Sequence, residues 1–565
     1  MSTRSPITPW TKVLTLLTLG VVGTVGTSCN PPPTAPADDP PEVVIGERLF
    51  LETRFAQYFA AAIGASGDVN QPLATGDPVL DALETTGDPR PGPFAGKSMN
   101  CRACHLVDES PDPGTTGIRT YADFARRSPI PDRGDGRTHA PRNSPPLVNA
   151  SLARDGGFFL HFDGEFTSDE DLVVGTLTGR NFGWLAGERA AAVAHVARVI
   201  RDDDGSDDLA VGCWRNSYAT LLLGVSPGIP ETCRLPEDLR IDVASATDEE
   251  IVSGVAAIVA AYMRGLVYQQ DADGNYIGSP YDRFLILNGL PRQPDAGESA
   301  IDYARRLRAA LDALPAPRLL DNPAVLSFVH HDQPFVFGAD ALAGLRIFLA
   351  EPAGAAASAD EIAAGGVGNC IACHAPPHFT DFGFHNNGVA QEEYDGVHGA
   401  GAFAALAIPS LAQRQAAPES YLPPSALYPN GTGTFLAAAS ADAPGRTDLG
   451  VWNVLGNDAV PAPQAALTET LGRATGVATV AEMLPLAIAR FKTAGLRDLG
   501  QSPPYFHTGA ADAPEDAVRH YLGASTAARA AAVRNGDAQL GRIAITDGDV
   551  AALAAFLGAL DEDYD

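Results

Sequence analysis

Apolar residues along this chain recur at helical rather than strand spacing. In "DEEIVSGVAAIVAAYMRGLV" (248–267) they return every three or four positions behind an acidic start, which predicts an amphipathic helix. "ESAIDYARRLRAALDAL" (298–314) and "GADALAGLRIFLAE" (338–351) follow the same period. The tail "TDGDVAALAAFLGAL" (546–560) adds Thr546 as an N-cap candidate ahead of its apolar stripe. No stretch alternates over several strands, so the expected fold is mostly α. The 57 glycines and 45 prolines divide it into many turns and loops. At 565 residues the chain exceeds one compact domain and predicts two or three.

The amino terminus breaks this pattern. Arg4 and Lys12 precede the run "VLTLLTLGVVGTVGT", which ends in small residues before Cys29. That is the layout of an export signal over 1–28, with an apolar run too short to span a bilayer. "NPPPTAPADDPPE" follows as a Pro-rich tether, taken here as 29–44. The arrangement resembles a bacterial lipoprotein with Cys29 as the lipidated residue. Gly26 stands where an aliphatic residue is usual, so ordinary cleavage is the alternative. Either route places the chain in the periplasm, free or membrane-anchored. A formal charge of −30 argues against nucleic acid and anionic lipid as partners. It suits a cationic redox protein, or it serves solubility alone.

Seven cysteines sort themselves by spacing. Cys101 and Cys104 lie in "MNCRACH", and Cys370 and Cys373 in "GNCIACH". Both are C-x-x-C-H, the pattern by which two thiols add to the vinyl groups of one porphyrin while the next histidine sits under the iron. His105 and His374 are then the proximal ligands. A four-cysteine zinc site would use the same thiols, but it would leave the histidine coincidental twice. A redox dithiol expects a βαβ setting that neither site shows. Two covalently bound haems c are therefore expected. Cys213 and Cys233 remain, and export makes a disulfide between them the natural reading, worth about 3 kcal/mol in the chain-entropy model.

The residues around the two motifs resemble the bacterial diheme cytochrome c peroxidases and MauG, the diheme enzyme of methylamine utilisation. The likeness runs through "IGERLFLETRF" (45–55), "PRNSPPLVNASL" (141–152), "FFLHFDGEF" (158–166), "SPYDRFL" (279–285), "HFTDFGFHNNGV" (378–389) and "FKTAGLRDLGQSPPYFHTG" (491–509). It implies two cytochrome c-like haem domains packed around a shared interface, with loop insertions. The amino-terminal domain would span 45–290 with an insertion near 185–245. A linker or insertion would follow at 291–330, then the carboxyl-terminal domain at 331–565. The last helix would belong to the latter or pack on the former.

The resemblance also implies roles. The haem at His105 would receive peroxide and the haem at His374 would relay electrons from a small cytochrome c or cupredoxin. A calcium ion between the domains would be held by the Asn143 side chain and the carbonyls of Ser502 and Pro504; without the family, Asn143 reads as a turn residue. Relay-haem ligation by a methionine fourteen residues beyond the "PYFH" histidine falls on Tyr521 here, as in MauG. His520 or Met483 are the other ligand candidates. At the first haem, His139 is the candidate distal histidine, or else an exposed loop residue. Two departures stand out: Phe162 replaces a bridging tryptophan and Glu165 an arginine. Phe182 occupies the place of a distal glutamate, leaving Glu188 as the neighbouring carboxylate.

Three functions follow from these residues. The first is reduction of hydrogen peroxide with electrons from a donor protein. The second is a MauG-like oxidase that stores oxidising equivalents to modify a protein or small molecule. The third is electron transfer without catalytic turnover.

Overall fold

The computed structural model describes residues 39–85, 88–91, 96–105, 127–152, 154, 157–206, 215–322, 326–328 and 333–562, those of 81–95 by backbone alone. The export signal, Cys29 and Cys213 lie outside this range. Cys233 is disulfide-bonded. No helix among the described residues is long and apolar enough to cross a membrane. The described chain is mostly helical, with two-stranded ribbons at Ala82–Thr85 with Asp88–Pro91 and at Phe384–His385 with Phe491–Lys492.

The predicted helices form close to their expected limits. Helix Asp248–Gly265 starts at Thr247, whose hydroxyl accepts from the Glu250 amide while the Glu250 carboxylate accepts from the Thr247 amide. Helices Ala300–Asp312, Ala339–Phe348 and Asp547–Gly558 match the other three periodic segments. One boundary is corrected. Helix Pro41–Leu51 begins inside the stretch assigned to the tether, because a proline at the first helical position lacks only an amide that has no helical partner there.

Two helix crossings organise the core, and they are alike. Pro41–Leu51 packs on Asp248–Gly265, and Ala339–Phe348 packs on Asp547–Gly558. A methyl group at Gly46 would fall 2.5 Å from the Ile258 carbonyl oxygen and 2.7 Å from Tyr262 Cβ. One at Gly344 would strike the Ala552 carbonyl and lie 2.8 Å from Phe556 Cβ. Glycine is required at both places because the facing backbone leaves no room for a side chain. Each glycine opens a G-x-R-[LI]-F-L segment, at 46–51 and 344–349. The last helix packs mainly on Ala339–Phe348 and Pro514–Arg529, and thus on carboxyl-terminal elements.

Around these crossings lie three apolar clusters. The first runs from Ile45 to Tyr276 and includes Val193, Val196 and Ile200 of helix Arg189–Asp202. The second gathers Tyr281, Tyr303, Leu345, Phe379 and Phe556. The third joins Phe159 and Phe162 to a carboxyl-terminal group around Trp452 and Phe491.

The crossing makes a prediction. Gly344→Ala overpacks a backbone contact and should lower stability by about 1–3 kcal/mol. Gly396→Ala, in helix Val389–His398 with open space around it, should instead raise stability by about 0.5–1 kcal/mol. Urea unfolding midpoints of the two variants against the parent check both signs.

Candidate functional site

Both C-x-x-C-H motifs fold the same way. Cys101–Ala103 and Cys370–Ala372 each make one 3-10 turn, and the following histidine amide donates to the first cysteine's carbonyl, at 3.0 Å for His105 and 2.8 Å for His374. Each turn is tied to the end of the first helix of its half. The Asn100 amide side chain donates to Leu51 O at 2.8 Å, and the Asn369 backbone N–H to Ala350 O at 2.8 Å.

The histidines are oriented alike. His105 Nδ1 lies 3.0 Å from Pro145 O, and His374 Nδ1 lies 2.9 Å from Phe379 O. A carbonyl can only accept, so each Nδ1 carries the proton and each Nε2 is left with its lone pair for a metal. Burial pushes the His105 imidazole down to about 4 and also lowers that of His374, so both are neutral.

Burial pushes the thiols of Cys101 and Cys370 up to about 12 and that of Cys104 to about 11. Among the described residues the two cysteine pairs do not converge; the one cluster of metal-ligating side chains is His161, Asp163 and Glu165. The zinc reading has no geometric basis here.

The second motif opens on a cavity of about 260 Å³. Cys370, Cys373 and His374 line it together with Tyr521, and Phe348, Leu499, Val518, Ile543 and Leu557 contribute to an apolar wall. Tyr521 belongs to helix Pro514–Arg529. Burial pushes its phenol up to about 12, with the nearby Cys373 and Cys370 adding to the shift. The rival ligands are engaged elsewhere. His520 contacts the Glu392 carboxylate at 2.6 Å and Asn387 O at 3.0 Å, using both ring nitrogens. Met483 is buried in the third apolar cluster and does not line the cavity. Two thiols, a histidine with a free Nε2 and a facing phenol in one apolar cavity fit a haem.

The oxygen donors assigned to calcium also meet. Asn143, Ser502 and Pro504 line this same cavity, and the Asn143 amide group lies 2.5 Å from Pro504 O. The Asn143 backbone N–H donates to His507 O at 2.7 Å, which fixes the loop. Neutral oxygens of this kind suit a hard cation once the amide presents its Oδ1.

Between the motifs, Phe162 meets the His507 ring edge-on at 6.5 Å, and His507 stacks on Phe491 at 3.5 Å. Lys492 is half-buried and donates to Phe159 O at 3.0 Å; loss of water around it, with Arg154 near, pushes its ammonium down to about 7. Arg142 bridges Asp163 at 2.5 Å and Asp448 at 2.5 Å, all three buried or nearly so.

The residues suggested for the distal side of the first haem have partners of their own. His139 is exposed, with its ring 2.9 Å from the Thr138 hydroxyl. Glu188 is ion-paired with Arg133 at 2.8 Å and accepts from the Leu185 amide. His161 was not singled out from the sequence. It lies near enough to His105 to lower its basicity, pairs with Glu165 at 3.2 Å, and lines a second cavity with Pro145, whose carbonyl holds His105. The adjoining "DGE" was its only sequence signal.

No family model matches the chain, and no curated protein matches it. Among solved structures the chain is similar to the diheme peroxidase BthA from Burkholderia thailandensis, at 16% identity and a TM-score of 0.42, covering 94% of this chain and 87% of that one. It is also similar to a MauG-like protein associated with microbial copper homeostasis, at 16% identity and a TM-score of 0.41, covering 94% and 93%.

The Arg142 bridge yields a prediction. Arg142→Met leaves Asp163 and Asp448 buried without their cation and should cost about 3–5 kcal/mol, read as a lower denaturation midpoint.

Proposed function

We propose that this chain is a periplasmic diheme c-type cytochrome of the peroxidase/MauG type. Cys101, Cys104 and His105 would hold the haem that meets hydrogen peroxide. Cys370, Cys373, His374 and Tyr521 would hold the haem that supplies its electrons. The observation that carries this reading is the cavity in which the Cys370–His374 turn faces Tyr521. When bound, the two haems supply the redox-active irons: one to meet peroxide, one to pass electrons on.

The chain's own residues set the conditions for that chemistry. Pro145 O and Phe379 O hold the proximal histidines by Nδ1, fixing ring orientation and basicity. Tyr521 offers a hard oxygen donor, which favours ferric iron, where a thioether would favour ferrous. Conversion of one peroxide to two waters consumes two electrons and two protons. His161 and Glu165 form an acid–base pair beside the first motif, suited to moving those protons. Asn143, Ser502 and Pro504 would hold a calcium ion, which would tie the 141–152 loop to the 491–509 segment. The acidic surface favours a donor, a small cytochrome c or cupredoxin, with a basic face.

A second reading rests on Tyr521. An anionic oxygen ligand on the relay haem stabilises oxidised states, as expected of a MauG-like oxidase that modifies a protein or small molecule.

Three measurements test these readings. Peroxide added to the reduced diheme protein should reoxidise it, and a reduced donor should sustain turnover; a long-lived oxidised state without donor favours the second reading, and no reaction removes both. Tyr521→Phe should alter the optical and EPR spectra of the second haem; unchanged spectra would move the ligand elsewhere. Asn143→Ala should lose the single calcium on metal analysis while both haems stay attached.

A further inference from the structure

Tyr276 and His378 form a hydrogen-bonded pair whose proton position follows from its neighbours. The phenol oxygen lies 2.8 Å from His378 Nδ1, with the two rings edge-to-face at 5.8 Å. Asn149 fixes the direction of that bond. Its Oδ1 accepts from the Tyr268 backbone N–H at 3.1 Å, so its Nδ2 must be the group that donates to Tyr276 Oη at 3.0 Å. Asn149 Nδ2 can only donate, so His378 Nδ1 is the one acceptor facing the phenol; the phenol proton points there and Nδ1 presents a lone pair. His378 is neutral, because burial and the nearby Arg497 push it down to about 4.

The surroundings favour one kind of chemistry. Tyr276 is 4% exposed, and the Arg497 guanidinium lies 3.9 Å from its ring centre. A fixed cation there opposes positive charge on the ring, so an electron leaves Tyr276 readily only if its proton leaves too. His378 is the acceptor already in place.

His378 connects the pair to the surroundings of both motifs. His378 lies four residues beyond His374. It lines a cavity with Pro145, whose carbonyl holds His105, and with Pro146 and Phe162, which also line the cavity of the second motif. Phe162, between them, is a phenyl ring and hard to oxidise. The described tryptophans, Trp184 and Trp452, are buried in apolar clusters and line neither cavity.

We propose that Tyr276 is a one-electron relay between the two haem sites, with His378 as its proton acceptor. Tyr276 gives one electron to the site oxidised by hydrogen peroxide, its O–H bond breaks and an N–H bond forms at His378 Nδ1. The product is a neutral tyrosyl radical and an imidazolium. An electron arriving from the donor side reduces the radical, and the proton returns from His378 to Oη. Two such cycles deliver the two electrons that one peroxide consumes. The relay rests on the peroxidase/MauG-type reading above.

The test uses the diheme protein grown with ring-deuterated tyrosine, mixed with peroxide, frozen and examined by EPR. An organic radical signal that narrows on deuteration is expected in the parent protein, and its loss in Tyr276→Phe, whose resting haem spectra should match the parent. His378→Leu keeps the tyrosine but removes the acceptor; it should lose the signal as well and regain part of it with added imidazole. This second variant decides the matter if Tyr276→Phe fails to fold. A haem spectrum that responds to peroxide with no tyrosyl signal, or with a signal that survives in Tyr276→Phe, overturns the relay and leaves the peroxidase-type reading standing. A haem spectrum indifferent to peroxide overturns both.

Discussion

The contact of one helix backbone against another, made once at Gly46 and again at Gly344, fixes where everything else can be. Where two helices touch through Cβ-free positions, their spacing and rotation are set by main-chain atoms rather than by adjustable side chains. The cysteine turns inherit that rigidity. Asn100 reaches back to Leu51 O, and Gly368 and Asn369 donate to Ile347 O and Ala350 O, all at or near the end of the first helix of each crossing. The proximal histidines therefore hang from rigid frames, and the carbonyls of Pro145 and Phe379 need only settle their ring orientation.

The sequence exposes some of this architecture and conceals the rest for identifiable reasons. Helices at 248–265 and 547–558 are legible because their period and their starting residues agree. The haem motifs are legible because their chemistry demands contiguous spacing. Tyr521, Asn143, Ser502 and Pro504 could be nominated only through resemblance, since nothing local links a helix tyrosine to a cysteine some 150 positions earlier. The glycine crossings were obscured because the chain between G-x-R-[LI]-F-L and C-x-x-C-H differs in length between the halves. The partners of Glu188, Arg133 and the Leu185 amide, were equally out of view, because one of them lies 55 residues earlier. His378 could not be valued from its own segment, because its partner Tyr276 is 102 residues away.

Charge is distributed against the composition. A chain with a formal charge of −30 places Arg154, Lys492 and Arg497 around one inner cavity, beside His161 and His378. Arg497 is balanced by the buried Asp282 at 2.9 Å and by Glu562 at 3.3 Å. Lys492 meets instead a carbonyl oxygen, and burial lowers its basicity accordingly. The basic character is thus local to this cavity, since buried carboxylates elsewhere, among them Asp203, Asp282 and Asp448, outnumber the buried cations.

Arg142 and Asn143 are neighbours in sequence, yet they grip different things. Arg142 ties Asp163, next to Phe162, to Asp448, while Asn143 reaches Pro504 O and His507 O, the latter's ring stacked on Phe491. Two adjacent residues thus act as a rivet through several layers. A shift of the 504–507 segment that carried Asn143 with it would therefore pull, through one peptide bond, on the ion pairs beside Phe162.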